Sequence, residues 1–141
     1  MKYVLDASVA VRWFVSEERH ENADAVLERI VNEPELFAVP ELFAYEVFAV
    51  LFRVHPNPLA VFLEGFSPLL NSGLLRYPMT DAVAKRASRF LSLGLTGYDA
   101  VYVGMAEELG ALWLTFDEQA HKRLAKESIS VDLNSTLPQD W

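Results

Sequence analysis

The chain contains no cysteine. Disulfides, thiolate zinc sites and cysteine nucleophiles are therefore excluded, and the composition suits a reducing cytoplasm. Basic residues are scarce: 12 Lys and Arg against 20 Asp and Glu leave a formal net charge of −8. Broad electrostatic binding to nucleic acid or to an anionic membrane needs a basic surface that this balance does not supply. Long apolar runs are missing too. The most apolar stretch, residues 42–52, is shorter than a membrane span and carries Glu46. At the N-terminus, Asp6 comes too early for the apolar region of a signal peptide. The three histidines, His20, His55 and His121, stand in polar stretches without metal-ligand spacing. The Gly-rich phosphate loop, the dinucleotide fingerprint and the nucleophile elbow are all absent.

What is present is apolar and mixed. The 141 residues are 52% hydrophobic and 12% aromatic, which predicts one folded domain over 1–141 rather than disorder. The mean hydropathy of +0.14 is slightly positive. A chain this apolar is expected to hide some surface against a partner or a second copy.

Short apolar runs alternate with longer amphipathic ones. Strands are predicted at 3–5, 36–39, 74–77, 111–116 and 129–133, and helices at 9–15, 21–31, from Pro40 to about Val54, and at 59–70, 80–93, 98–109 and 118–126. Gly94 to Gly97 punctuates two helices, and Gly110 stands at a favoured helix C-terminal position. The alternation predicts an α/β fold with a parallel sheet covered on both faces.

In such sheets, ligands sit beyond the carboxyl ends of the strands. Asp6 follows the first strand and Asp117 follows the run ending at Phe116. A helix comes after each, so an N-capping role stands beside a catalytic one. Glu46 falls on a helical face with Leu42, Phe43, Ala49 and Val50, and an ionised acid in an apolar stripe needs a cation or donors. The alternative is a Glu at the edge of the stripe whose head reaches water. Asp99 ends the capping-box spacing Thr96-Gly97-Tyr98-Asp99, yet it also shares a face with Tyr102, Val103 and Ala106. Glu41, in the first turn of its helix, reads as structural.

Four uncompensated carboxylates brought to one end of a sheet would repel one another and imply a divalent cation. Oxygen ligands favour Mg²⁺ or Mn²⁺ over zinc, and the usual work of such sites is on phosphate esters. Two other acid-based chemistries fit poorly. Asp6-Ala7-Ser8 lacks the second Asp of a haloacid-dehalogenase phosphatase, and a single Asp6 is not the acidic pair of a receiver domain.

The segments Val4-Leu5-Asp6-Ala7-Ser8, Pro40-Glu41-Leu42 leading to Glu46-Val47, residues 95–103 around Tyr98-Asp99, and Leu114-Thr115-Phe116-Asp117 together resemble the PIN domain family, in particular its VapC-like ribonuclease toxins. The resemblance runs along essentially the whole chain, in order. It implies a three-layer α/β/α fold with about five parallel strands. It also implies a Mg²⁺- or Mn²⁺-dependent, cytoplasmic endoribonuclease acting on single-stranded RNA, a VapB-like antitoxin and a homodimer, with no membrane association. Carried over by position, Asp6, Glu46, Asp99 and Asp117 form the acidic quartet that binds metal and carries catalysis, with Asp6 and Asp99 as the main ligands. Ser8 and Thr115 match supporting hydroxyls, for which a helix cap and a strand-edge Thr are the alternatives. Two positions depart from the family pattern: Gly104 stands where Ala is frequent, and Phe116 is bulky. Arg12, one turn beyond Ser8, is a candidate RNA contact. Residues 85–89 and 122–123 form basic stretches that read as solvated faces. An RNA-processing nuclease without an antitoxin and a non-catalytic PIN-like interaction module stand as alternatives.

Overall fold

The computed structural model describes residues 2–141. Tyr3–Leu5 forms β1, and all three of its residues are buried, as a strand covered on both faces requires. Four further strands complete an all-parallel sheet: β2 (Phe37–Pro40), β3 (Leu75–Tyr77), β4 (Leu112–Thr115) and β5 (Ser130–Asp132), in the order β3-β2-β1-β4-β5. The chain builds outward from β1 in one direction through β2 and β3, then returns to add β4 and β5 on the other side. The order therefore reverses between β1 and β4, where Tyr3 pairs with Leu112 and Leu5 with Leu114. A crevice at the carboxyl ends of these two strands is the expected ligand position of an open parallel sheet.

Helices cover the sheet. α1 (Ala7–Phe14) packs on β4 and against α2 (Glu21–Asn32) and α3 (Glu41–Val54). A helical segment follows as α4 (Pro58–Val61), a widened π turn over Phe62–Phe66, and α5 (Ser67–Leu70). The sequence predicts one regular helix here. Pro68 has no N–H to complete the ladder, and the widened turn directly before it accommodates the break. α6 (Asp81–Leu91) packs on α7 (Gly97–Leu109), which lies over β1, β2 and β4. The short α8 (Glu118–Arg123) precedes β5. This is the parallel sheet covered on both faces that the sequence pattern predicts and the three-layer α/β/α arrangement that the resemblance implies, with every predicted strand found within about one residue at its boundaries.

The core lies between the sheet and its helices, with Trp113, Tyr3, Tyr102, Phe37 and Phe43 among its largest fully buried side chains. The ring of Trp141 packs at a tilt on Tyr3, 5.3 Å between centroids, and tethers this end of the chain to β1. No helix among the described residues is long and apolar enough to cross a membrane.

Candidate active site

Asp6 leaves β1 at the reversal point of the sheet and occupies the N-cap position of α1, but its side chain makes no capping bond. Its carboxylate turns to two hydroxyls instead. Oδ2 accepts from Thr115 Oγ1 at 2.6 Å and from Ser8 Oγ at 3.1 Å. Each hydroxyl is itself fixed by the backbone after β4: Thr115 Oγ1 accepts from the Asp117 N–H at 2.9 Å, and Ser8 Oγ from the Phe116 N–H at 3.1 Å. Ser8 and Thr115 thus tie the ends of β1 and β4 to one carboxylate.

Asp6 is 7% exposed. Burial pushes its pKa up from 3.8 to about 7, the charges of Asp99 and Glu46 push the same way, and the Thr115 and Ser8 bonds oppose them.

The other three acids come from three other elements. Asp117 precedes α8 and caps it, its Oδ1 accepting from the Ala120 N–H at 3.0 Å. Asp99 sits in the first turn of α7, whose cap is Thr96: the Thr96 hydroxyl accepts from the Asp99 N–H at 3.2 Å. Burial raises the Asp99 pKa, and the nearby Asp117 charge adds to it.

Glu46 is half-buried on α3. The buried stripe of that helix runs through Phe43, Val47 and Leu51, so Glu46 stands beside the stripe and Ala49 is exposed. The apolar face drawn from the sequence is therefore rotated by about one position. Glu46 Oε1 accepts from the Tyr102 hydroxyl at 2.7 Å. Burial raises its pKa, and the Tyr102 bond works against that.

All four acids line one cavity of about 320 Å³, together with Ser8, Arg12 and a fifth acid, Glu18. No Lys, Arg or His among the described residues forms an ion pair with any of them. The donor set is all oxygen and its charge is uncompensated, which fits a hard divalent cation. Among the described residues, no three His, Cys, Asp or Glu side chains are already gathered as a metal cage. A Mg²⁺ held by one or two carboxylates with waters completing its shell is compatible with that spread. A larger hollow of about 380 Å³ beside β5 contains none of the four.

Two residues near the acids escape a reading of the sequence for acids alone. Tyr102 is fully buried, stacks on Trp113 at 6.3 Å and bridges the Asp6 and Glu46 sides of the cavity. Its hydroxyl pKa is raised by burial and by both carboxylates. Its only sequence signal is its place three residues after Asp99, on the same helical face. Arg123 lines a second, smaller cavity with Thr96, Asp99 and Asp117, so residues 122–123 are not wholly the solvated face that the sequence suggests. The other basic stretch does pair on the surface, with Arg86 and Arg89 bonded to Glu107. The histidines serve local structure: His20 caps α2, and His121 meets the Ser130 hydroxyl at 2.7 Å.

The PIN domain family model matches residues 3–127. The chain belongs to the PIN domain family. A curated relative, Ribonuclease VapC3 of Pyrobaculum aerophilum, is 31% identical to this PIN domain over 125 residues, covering 84% of this chain and 92% of that protein. Two solved structures share its fold. A toxin–antitoxin complex from Klebsiella pneumoniae superposes with a TM-score of 0.67 at 16% identity, over 94% of this chain and 98% of that one. FitAcB from Neisseria gonorrhoeae does so with a TM-score of 0.71 at 14% identity, over 95% and 99%.

Proposed function

We propose that this PIN domain is a Mg²⁺- or Mn²⁺-dependent endoribonuclease of the VapC type. It would hydrolyse phosphodiester bonds of single-stranded RNA in the cytoplasm, as the toxin partner of a VapB-like antitoxin. One observation carries the reading: four acids from four separate elements line a single cavity where the strand order reverses, and among the described residues none of them is ion-paired to a protein cation. The 31% identity to a ribonuclease VapC and the likeness in fold to toxin–antitoxin structures support it.

Asp6 and Asp99 would hold the metal, directly or through water, with Glu46 and Asp117 completing its shell or orienting water. A bound Mg²⁺ or Mn²⁺ neutralises phosphoryl charge and lowers the pKa of a water. The chain's own hydroxyls do the positioning. Ser8 and Thr115 hold Asp6, and Tyr102 holds one oxygen of Glu46, leaving the other free. Water adds to phosphorus in line, and the bond to the 3′ oxygen breaks, giving a 5′-phosphate and a 3′-hydroxyl. Arg12, on the same cavity wall, contacts the RNA backbone.

We take residues 1–141 as one domain, since β5 and the Trp141 tail pack on the sheet beyond the matched stretch. A homodimer and the antitoxin are supported by the exposed apolar face of α3, where Tyr45, Phe48 and Phe52 stand open. The decisive experiment is Mn²⁺-dependent cleavage of an RNA oligonucleotide by the wild type and by Asp99→Asn. A loss of at least about 100-fold is expected. Equal rates would remove the assignment.

A further inference from the structure

Most basic side chains of this acidic protein are held in ion pairs. Among the described residues, only Arg12, Arg53, Lys85, Arg123 and Lys126 form none. Two of these five line the cavities at the acids. Arg12 lies on the wall of the 320 Å³ cavity. Arg123 lies on the wall of a neighbouring cavity of about 140 Å³. The two cavities meet at Asp99 and Asp117, which line both. The result is a trough with Asp99 and Asp117 shared at its middle, Arg12 beside Glu18 in one cavity and Arg123 in the other, neither guanidinium held in an ion pair.

Both guanidiniums are anchored in the same manner. Arg12 Nη1 donates to the Glu18 carbonyl at 3.0 Å, and Arg123 Nη1 donates to the Gly94 carbonyl at 2.5 Å. A carbonyl fixes a guanidinium without cancelling its charge, and leaves other N–H groups free for a phosphate. Arg12 is held further by the Phe116 ring, with its guanidinium carbon 4.1 Å from the ring centre. The His20 ring packs on that same phenyl at 5.1 Å, which accounts for the bulk of Phe116 at this position. Arg12 Nε is buried without a protein partner, so the groups of Arg12 that can meet a phosphate are its Nη atoms. On the other side, Gly94 has φ +89°, and a Cβ there would stand 2.3 Å from Arg123 Nη1. Glycine at 94 thus serves both the turn and the seating of Arg123.

Resting on the ribonuclease reading, we propose that the RNA strand lies along this trough. The scissile phosphate sits over Asp99 and Asp117, and phosphates flanking it sit on Arg12 and on Arg123. Two point contacts replace the broad basic face that a net charge of −8 denies the protein.

The test is the salt dependence of kcat/KM on a single-stranded RNA oligonucleotide long enough to reach both cavities, with saturating Mn²⁺. Each phosphate contact on a single strand contributes about 0.7 to the slope of log(kcat/KM) against log salt. Arg123→Ala and Arg12→Gln should each flatten the slope by about that amount and raise KM more than they lower kcat. Arg12→Gln gives up the stacking on Phe116 with the charge, so the melting temperature of the variant is measured alongside, and the slope is read on folded protein. Arg123→Lys should restore most of the slope. Lys85→Ala, which removes an unpaired cation outside both cavities, should leave it unchanged. A wild-type slope in both arginine variants, or an equal flattening by Lys85→Ala, would overturn the trough while leaving the nuclease reading intact. Absence of RNA cleavage by the wild type with either metal would remove the nuclease reading, and the trough with it.

Discussion

Asp6 is where burial and charge conflict most directly. Its folded pKa of about 7 lies above the ordinary 3.8, so between these values the folded protein keeps a proton that the unfolded chain releases. Without a divalent cation, stability is therefore highest below about pH 4 as far as this group is concerned, and falls as pH rises to about 7. The full loss is at most about 4 kcal/mol. Asp6→Asn retains an oxygen for the Thr115 and Ser8 hydroxyls and removes the charge. It should raise the melting temperature in EDTA at pH 8 and flatten the pH dependence, while abolishing cleavage. Identical melting curves for variant and wild type at pH 5 and pH 8 would contradict this. Mn²⁺ at 100 times its dissociation constant should add about 2.7 kcal/mol at pH 8, and less at pH 5, where protons compete for the same carboxylate. Tyr102 affords a second test. Its hydroxyl favours the ionised form of Glu46, so Tyr102→Phe raises the Glu46 pKa further. The acidic limb of the pH profile of kcat/KM should then move to higher pH. An unmoved limb would show that Tyr102 serves packing alone. Asp6, Glu46, Asp99 and Asp117 could be picked from the sequence because each ends a strand or starts or interrupts a helix pattern. Tyr102 and Arg123 could not, since an aromatic on a buried face and a Lys-Arg pair on a short helix have commoner structural uses. Only the folded chain brings them within reach of the acids.

At the level of the elements, the three inner strands β1, β2 and β4 were legible because they are short apolar runs beside Pro, Gly or an acid, the pattern that burial on both faces demands, whereas the edge strands β3 and β5 are mixed in sequence and more exposed. Helix ends were legible where a cap could be named: Thr96 before α7, and Gly110 after it at φ 63°. The π turn at Phe62–Phe66 was not, since the apolar spacing of residues 59–70 is helical and widening depends on how Pro68 is accommodated. The rotation of the α3 stripe was equally hidden, because that helix is apolar on more sides than it buries. Gly104 gained its meaning from packing. A Cβ there would lie 2.7 Å from the Ala87 nitrogen and 3.1 Å from the Val83 carbonyl oxygen, both backbone atoms of α6. Backbone cannot turn aside as a side chain can, so Gly104→Ala forces α6 and α7 apart. The strain of about 1–3 kcal/mol exceeds the gain of up to about 1 kcal/mol in helix propensity. Chemical denaturation should show a net loss of about 1–2 kcal/mol; a more stable variant would refute the close approach.

For the whole molecule, charge and apolar surface are two sides of one balance. Five of the 20 acids and one arginine line a single cavity, a formal −4, so half of the net charge of −8 belongs to a site that a divalent cation would partly neutralise. The apolar excess has a location as well. Phe48 and Phe52 stack at 4.3 Å on the outer side of α3, Phe62 meets Phe48 edge-on at 5.5 Å, and Leu59 and Leu63 are more than half exposed nearby. Scattered exposed apolar residues are ordinary, but a contiguous aromatic group on one helix marks an association surface. A second copy meeting this face through a two-fold axis would bury the same residues twice. Phe48 and Phe52 are 44% and 45% exposed, so replacing both with Lys leaves the core untouched. Sedimentation at micromolar concentration should give a dimer for the wild type and a monomer for the double variant, with association weakened at least about ten-fold. A monomeric wild type would remove the homodimer. A double variant that stays dimeric, yet loses binding to a co-expressed antitoxin, would reassign the face from the second copy to the antitoxin.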